Sequence, residues 1–299
     1  AVTELTTCLA DYYGVGKDQV FVGVGSDDVL AMAFMTFFNS EKPILFPDIS
    51  YSFYSVWAEE FRIPYESPAL DENFKLVKED YYQENGGIIF PNPNAPTAIF
   101  EPLSTIEDIL QHNKDVVVIV DEAYIDFGGE SAADLTKKYD NLLVVQTFSK
   151  SRSMAGARLG FGVASKEIIQ DLNTIKYSTN PYNINRMTMA AGIGALEDEE
   201  YTRENCRIIC ENREYTMAKL KEMGFVMTPS TTNFIFAKHN DISGFDLYDK
   251  LKKRGILIRH FTKERIKDYN RITIGTKDMM DKFLLAVYNL VGFSLFTPT

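Results

Sequence analysis

The apolar segment Leu142-Leu143-Val144-Val145 leads, through Gln146, directly into Thr147-Phe148-Ser149-Lys150-Ser151-Arg152-Ser153-Met154-Ala155-Gly156-Ala157-Arg158. A strand with no polar alternation reads as buried on both faces, which places it in a parallel sheet covered by helices. Strands of such sheets end in crevices where ligands bind. A lysine at that position is costly, because burial disfavours the ammonium form and lowers its pKa. A desolvated lysine amine is a nucleophile toward carbonyls. The neighbouring hydroxyls, Ser149 among them, and the guanidinium of Arg158 suit a phosphate. The competing reading is a basic turn that leaves Lys150 in water.

Three further segments bear on that choice. Val116-Val117-Val118-Ile119-Val120 is β-branched throughout and ends at Asp121-Glu122-Ala123-Tyr124. An acid at the end of a buried strand needs a partner, and a protonated pyridine nitrogen is one. At an effective dielectric of roughly 20, unit charges in contact attract by about 4 kcal/mol, enough to hold the ring nitrogen protonated. Helix capping or a magnesium ion would also employ Asp121, although the chain has no glycine-rich loop ending in Gly-Lys-Ser/Thr to accompany a nucleotide. Gly87-Ile88-Ile89-Phe90 is a short strand followed by Pro91-Asn92-Pro93-Asn94-Ala95-Pro96-Thr97, whose prolines cannot continue a sheet. Asn92 and Asn94 present amides there, as turn formers or as ligands. Val20-Phe21-Val22-Gly23-Val24-Gly25-Ser26-Asp27-Asp28 passes from a strand through small residues into an apolar helix over Val29 to Phe38. Ser26 and Asp27 can cap that helix, and its free N–H groups form an anion site.

With Ala155-Gly156-Ala157-Arg158 and Arg271-Ile272-Thr273-Ile274-Gly275, these segments occur in an order that resembles the fold-type I enzymes dependent on pyridoxal phosphate. More narrowly, the chain is similar to the histidinol-phosphate aminotransferase family within the class II aminotransferases, from about Tyr12 to Val291. The resemblance implies an α/β fold with a mostly parallel central sheet flanked by helices, plus a smaller C-terminal α+β domain, and pyridoxal 5'-phosphate as cofactor. It implies that Lys150 forms the Schiff base and later moves the proton, that Asp121 pairs with the pyridine nitrogen, and that Tyr124 bonds the phenolic oxygen. Ser149, Arg158 and the backbone of Ser26 and Asp27 would hold the phosphate. Tyr51 would stack on the ring and Arg271 would bind a substrate anion. Read without the resemblance, Tyr51 is equally a core aromatic and Arg271 a solvated strand charge. The family pattern has Gly where Ala98 stands and Asn where Ala95 stands, so Asn94 is assigned to the ring oxygen and an altered turn is expected at Ala98. The chain begins without Met and without the N-terminal arm that relatives lay across a dimer interface, and it is read as truncated there.

The net charge of −11 argues against nucleic acid as a partner. No apolar run is long enough to span a bilayer, so no membrane partner is expected. Three cysteines, Cys8, Cys206 and Cys210, form no disulfide framework, and Cys206 and Cys210 share a helical face as small apolar groups rather than as metal ligands. That usage suits a cytoplasmic protein. His112, His239 and His260 do not cluster and are read as structural or surface groups. The tail from Gly292 to Thr299 is read as frayed.

Strands alternate with helices to about Ser178. Helices follow over Asn185 to Leu196 and Glu199 to Met223, the second ending at Gly224. Strands at Asn233 to Ala237, Ile256 to Arg259 and Arg271 to Ile274, a helix near Phe245 to Arg254 and a last helix from Lys277 complete the smaller lobe. The division expected is 1–210, a large cofactor-binding domain, and 211–299, a small domain. The activity implied by the resemblance is transfer of the amino group of L-histidinol phosphate to 2-oxoglutarate, in a homodimer taking a small amino donor and a 2-oxo acid. Alternatives are an aromatic amino-acid aminotransferase, a threonine-phosphate decarboxylase, or a truncated remnant without activity.

Overall fold

The computed structural model describes residues 2–292, so the tail from 293 onward lies outside the described residues. The apolar runs form a seven-stranded sheet from β1 (Val20–Gly23), β2 (Ile44–Leu45), β3 (Tyr65–Glu66), β4 (Ile88–Pro91), β5 (Val118–Asp121), β6 (Leu142–Thr147) and β7 (Gly160–Ala164), in the order β1-β7-β6-β5-β4-β2-β3. The pairs β3·β2, β2·β4, β4·β5 and β5·β6 are parallel, and β7 alone runs against both of its neighbours. The mostly parallel α/β architecture expected from unbroken apolar strands is therefore observed.

Register decides what meets at the sheet edge. Pro91 lies opposite Asp121, and Asp121 opposite Val145. The reversal of β7 brings its first residue to the same edge, with Gly160 opposite both Thr147 and Gly23. Everything that leaves β1, β4, β5 and β6, and everything that enters β7, converges there.

Helices cover both faces: α1 (Val2–Tyr13), α2 (Ser26–Phe37), α3 (Phe53–Glu60), α4 (Leu103–His112), α5 (Lys166–Thr179) and α6 (Arg186–Glu197). Alternation along β5 assigns the faces. Ile119 packs with Phe34, Tyr54, Trp57 and Leu172 on the side of α2, α3 and α5. Val118 and Val120 pack with Ile106, Ile109 and Leu110 of α4 on the other. By the same period Asp121 faces α3. Glu122 turns the opposite way and is enclosed by the Ser131 hydroxyl at 2.6 Å, the Ala132 N–H at 2.6 Å and the Gln146 amide at 2.8 Å. Burial pushes the Glu122 carboxyl up to about 7 in spite of these donors.

The long helix α7 (Glu199–Glu222) ends where Gly224 takes φ +87°. Beyond it, β8 (Phe225–Met227), β9 (Phe234–His239), β10 (Arg259–His260) and β11 (Asn270–Thr273) form an antiparallel sheet in the order β10-β11-β9-β8, joined by α8 (Gly244–Lys252) and α9 (Lys277–Val291). Of the expected strand Ile256 to Arg259, only Arg259 pairs: Leu257 is largely exposed, and the ladder to β11 holds two residues. Strand β9 is divided between two cores. Ile235 and Ala237 pack with Leu247, Leu251 and Phe283, while Phe236 packs with Ile49, Leu70 and Phe74 of the first region. We propose a domain division inside α7 near residue 210, because Leu196 belongs to the first region's core and Leu220 to the second's.

One glycine contact locks the sheet edge. A Cβ on Gly160 would lie 2.3 Å from the backbone nitrogen of Ser26 and 2.4 Å from the carbonyl carbon of Gly25. Backbone atoms cannot swing aside as a flexible side chain can. Gly160→Ala is therefore expected to destabilise the protein by about 1–3 kcal/mol, as measured by urea unfolding.

Candidate active site

The converging strand ends enclose a cavity of about 230 Å³. Ser26, Asp27, Tyr51, Asp121, Tyr124, Ser149, Lys150, Arg158 and Arg271 line it, together with Pro91, Ala95, Ala123, Thr147 and Ala155. Every residue selected from the sequence is thus on its wall except Asn94. The Asn94 amide donates instead to the Ile49 carbonyl at 2.9 Å and the Thr97 hydroxyl at 2.8 Å, and its Oδ1 is buried without a protein partner. Ala95 holds the wall position. The loop is pinned by Asn92, which donates to the Glu101 carbonyl at 3.0 Å and accepts from its N–H at 2.8 Å. Ala98 adopts φ +64° while fully buried. Its N–H bonds the Asn94 carbonyl at 2.8 Å, so the turn accommodates the left-handed alanine at a cost of about 1 kcal/mol.

One end of the cavity is lined with hydrogen-bond donors, beside the Asp27 carboxylate. The α2 helix is capped by the backbone of Gly25, not by the side chains of Ser26 or Asp27, which form its first turn. The first N–H groups of a helix lack intrahelical acceptors and point out of its end. The Asp28 carboxylate turns back to the Val24 N–H at 2.8 Å and the Asn183 amide at 2.9 Å. Gly25 has φ +85°, and a Cβ there would lie 2.5 Å from Arg158 Nη2. The missing side chain lets the guanidinium lie over the start of the helix. Arg158 also donates to the Ser149 hydroxyl at 3.5 Å and lies 3.6 Å from the Asp27 carboxylate.

The floor is anionic. Asp121 Oδ2 accepts from the Tyr54 hydroxyl at 2.8 Å, and Oδ1 from the Ala123 N–H at 3.3 Å. Burial raises the Asp121 carboxyl to about 6, against the pull of these donors and of Lys150. Lys150 is half-buried rather than fully enclosed as the strand run suggested: β6 ends at Thr147, and the lysine lies in the turn that follows. Its Nζ lies 5.4 Å from the centre of the Tyr124 ring. Tyr51 donates to Asp27 at 3.1 Å, and burial followed by the Asp27 charge raises its phenol.

The smaller sheet supplies the remaining wall. Phe234 meets the Tyr124 ring edge-on at 5.0 Å, and Arg271 stacks over Phe234 at 5.1 Å. The Arg271 Nε is buried without a protein partner. In register Arg271 lies opposite both Phe236 and Arg259, so the two arginines share the face turned toward the large sheet. Both line an adjoining cavity with Tyr51, Ala95, His260 and Lys263. Sequence reasoning missed Arg259 because only strand register sets it beside Arg271. It also missed Tyr54, which reads as one of an apolar helical stripe with Trp57 and Ala58. The available signal was its hydroxyl, which needs a partner once buried.

Asp121 has a pH signature. Its folded-state carboxyl is raised from 3.8 to about 6, so the fold holds this proton more tightly than the unfolded chain does. Its contribution favours folding below the unfolded pKa and is lost as pH rises through about 6, amounting to about 3 kcal/mol. Asp121→Asn removes this titration. The cofactor-free variant should gain stability relative to the parent at pH 8, and that gain should shrink by up to about 3 kcal/mol below pH 4, as measured by urea unfolding at both pH values.

The comparisons with known proteins agree with this geometry. The profile of the family described as Aminotransferase class I and II matches residues 1–287. Histidinol-phosphate aminotransferase 1 of Hydrogenovibrio crunogenus is 50% identical over 275 residues, covering 92% of this chain and 77% of that protein. Histidinol-phosphate aminotransferase of Clostridium beijerinckii is 48% identical over 279 residues, covering 93% and 78%. The crystal structure of the histidinol-phosphate aminotransferase from Clostridium acetobutylicum superposes with a TM-score of 0.89 at 27% identity, covering 97% of this chain and 88% of that one. That from Sinorhizobium meliloti, in complex with pyridoxal-5'-phosphate, shares the fold with a TM-score of 0.88 at 20% identity, covering 97% and 82%. The chain belongs to the class I and II aminotransferase family.

Proposed function

We propose that this protein transfers the amino group of L-histidinol phosphate to 2-oxoglutarate, giving imidazole acetol phosphate and L-glutamate, with pyridoxal 5'-phosphate as cofactor. The observation that carries the reading is the meeting of Lys150, Asp121, Arg158 and Arg271 around one cavity. They are an amine, a buried carboxylate and two guanidinium groups, brought from separate parts of the fold. Relatives about half identical over nearly the whole chain bear the histidinol-phosphate aminotransferase name, which favours this donor over others. A remnant without activity has no physical need to keep a buried carboxylate facing a lysine.

The residues present fit the cofactor. The cradle at Gly25, Ser26 and Asp27, with Ser149 and Arg158, offers N–H, hydroxyl and guanidinium donors to a phosphate. Asp121, ionised at neutral pH, would pair with the ring nitrogen, Tyr124 would donate to the phenolic oxygen, and Tyr51 would lie against the ring. When bound, the cofactor supplies a carbonyl that reacts with amines and a ring that takes up the charge released at the substrate α-carbon.

The chain's own groups do the rest. Lys150 Nζ would hold the cofactor carbonyl at rest. As a free amine it would accept the substrate α-proton and keep it for return. The Asp121 carboxylate would stabilise positive charge on the floor. Arg271, with Arg259 beside it, would seat the donor's phosphate in one half-reaction and the acceptor's carboxylate in the other, since a planar fork of donors suits both anions. No described helix is long and apolar enough to cross a membrane, and we place the enzyme in the cytoplasm as a homodimer.

Lys150→Ala should lower kcat for glutamate formation from L-histidinol phosphate and 2-oxoglutarate by about a thousandfold or more, measured in steady state; near-normal turnover would sink the assignment. Faster turnover of phenylalanine or tyrosine would move the donor to the aromatic amino acids. Release of carbon dioxide from threonine phosphate would make the enzyme a decarboxylase.

A further inference from the structure

Tyr54 does not line the cavity, yet it is tied to a residue that does. It is completely buried, with its ring among Phe34, Phe46, Tyr51 and Trp57. A phenylalanine would fill that aromatic pocket without the cost of burying a hydroxyl. The hydroxyl donates to Asp121 Oδ2 at 2.8 Å, whereas the carboxylate's other donor, the Ala123 N–H, is longer at 3.3 Å. The charged groups acting on Asp121 from other elements are Asp27 at the start of α2, which opposes its ionisation, and Lys150 beyond β6, which favours it. Tyr51, three residues before Tyr54, donates to Asp27 instead. Two tyrosines from one segment thus serve two different carboxylates, and only Tyr54 supports the one on the floor.

We propose that Tyr54 is a positioning residue that keeps Asp121 ionised and oriented, and so sets how strongly the site prefers a ring with a basic nitrogen over one without. The inference rests on the role given to Asp121 above. Tyr54 touches neither substrate nor cofactor and acts through Asp121. Hydrogen bonds to charged groups are strong enough that losing this one should shift the Asp121 protonation equilibrium about tenfold, which is about one pH unit.

The test uses the full chain with Tyr54→Phe, Asp121→Asn and the double variant, each first checked for cooperative thermal unfolding. The first readout needs no cofactor. Asp121 is followed by carbon-13 NMR of the labelled carboxyl, and its midpoint should move up by about one unit in Tyr54→Phe. An unchanged midpoint overturns the proposal. The second compares dissociation constants for pyridoxal phosphate and for its 1-deaza analogue, in which carbon replaces the ring nitrogen. The parent's preference for pyridoxal phosphate should fall about tenfold in Tyr54→Phe, and the same substitution should leave the preference of Asp121→Asn unchanged. Equal weakening of both ligands, or the same loss in the Asp121→Asn background, would mean that Tyr54 only packs, and would also overturn it. A parent that shows no preference between the ligands would refute the role of Asp121 itself. The NMR midpoint would then still decide whether Tyr54 controls the carboxyl.

Discussion

The charge on Asp121 is the constraint around which the rest of the structure is arranged. A carboxylate at the end of a strand buried on both faces is intrinsically disfavoured, and burial moves its titration up to about 6. The fold nonetheless holds it there with one short and one longer hydrogen bond. Tolerating such a group makes sense where a positive partner is to be received. The neighbouring Glu122 shows the contrast. Equally buried, it faces the other side of the strand and is enclosed by Ser131, Ala132 and Gln146, so it serves the protein rather than a ligand.

Placing Arg158 depends on a single reversed strand. Because β7 runs against β6 and β1, the segment entering it reaches the edge where the parallel strands end. Arg158 is carried to the start of α2, and the close approach of Gly160 to Ser26 holds the two segments in contact. The cavity is thus polarised, with guanidinium and helix N–H groups at one end and the carboxylate on the floor. The smaller sheet joins through the alternation of β9: one set of side chains builds that lobe's own core, and the other faces the first region. Arg271 and Arg259 lie on the shared face because register places them opposite each other.

Much of this arrangement is legible in the linear chain. Unbroken apolar runs ending in Asp121 and in Ser149-Lys150 announce a covered parallel sheet whose strand ends carry chemistry. The proline-rich loop and the Gly25-Ser26-Asp27 turn are legible for the same reason, since prolines and glycines restrict or free the backbone locally. What could not be read depends on neighbours distant in sequence. That the Asn94 amide donates to Ile49 and Thr97 while Ala95 lies on the cavity wall follows from the path of the loop, not from the order of its residues. The strand expected over Ile256 to Arg259 shrank to its last residue and His260, because β-branched and apolar composition does not supply a pairing partner. Tyr54 was indistinguishable from a core aromatic until its hydroxyl acquired an acceptor 67 residues away.

The sequence by itself determined the layered α/β class and the chemical groups of the site, because strand burial, turn chemistry and the types of functional side chain are local properties. Only the tertiary structure decided which of those groups meet and in what electrostatic state. Strand order, register and the direction of β7 place Arg158 over a helix start and Arg259 beside Arg271. Burial, which no residue carries alone, sets the carboxyl of Asp121, and the packing of α3 on the sheet brings the Tyr54 hydroxyl to it.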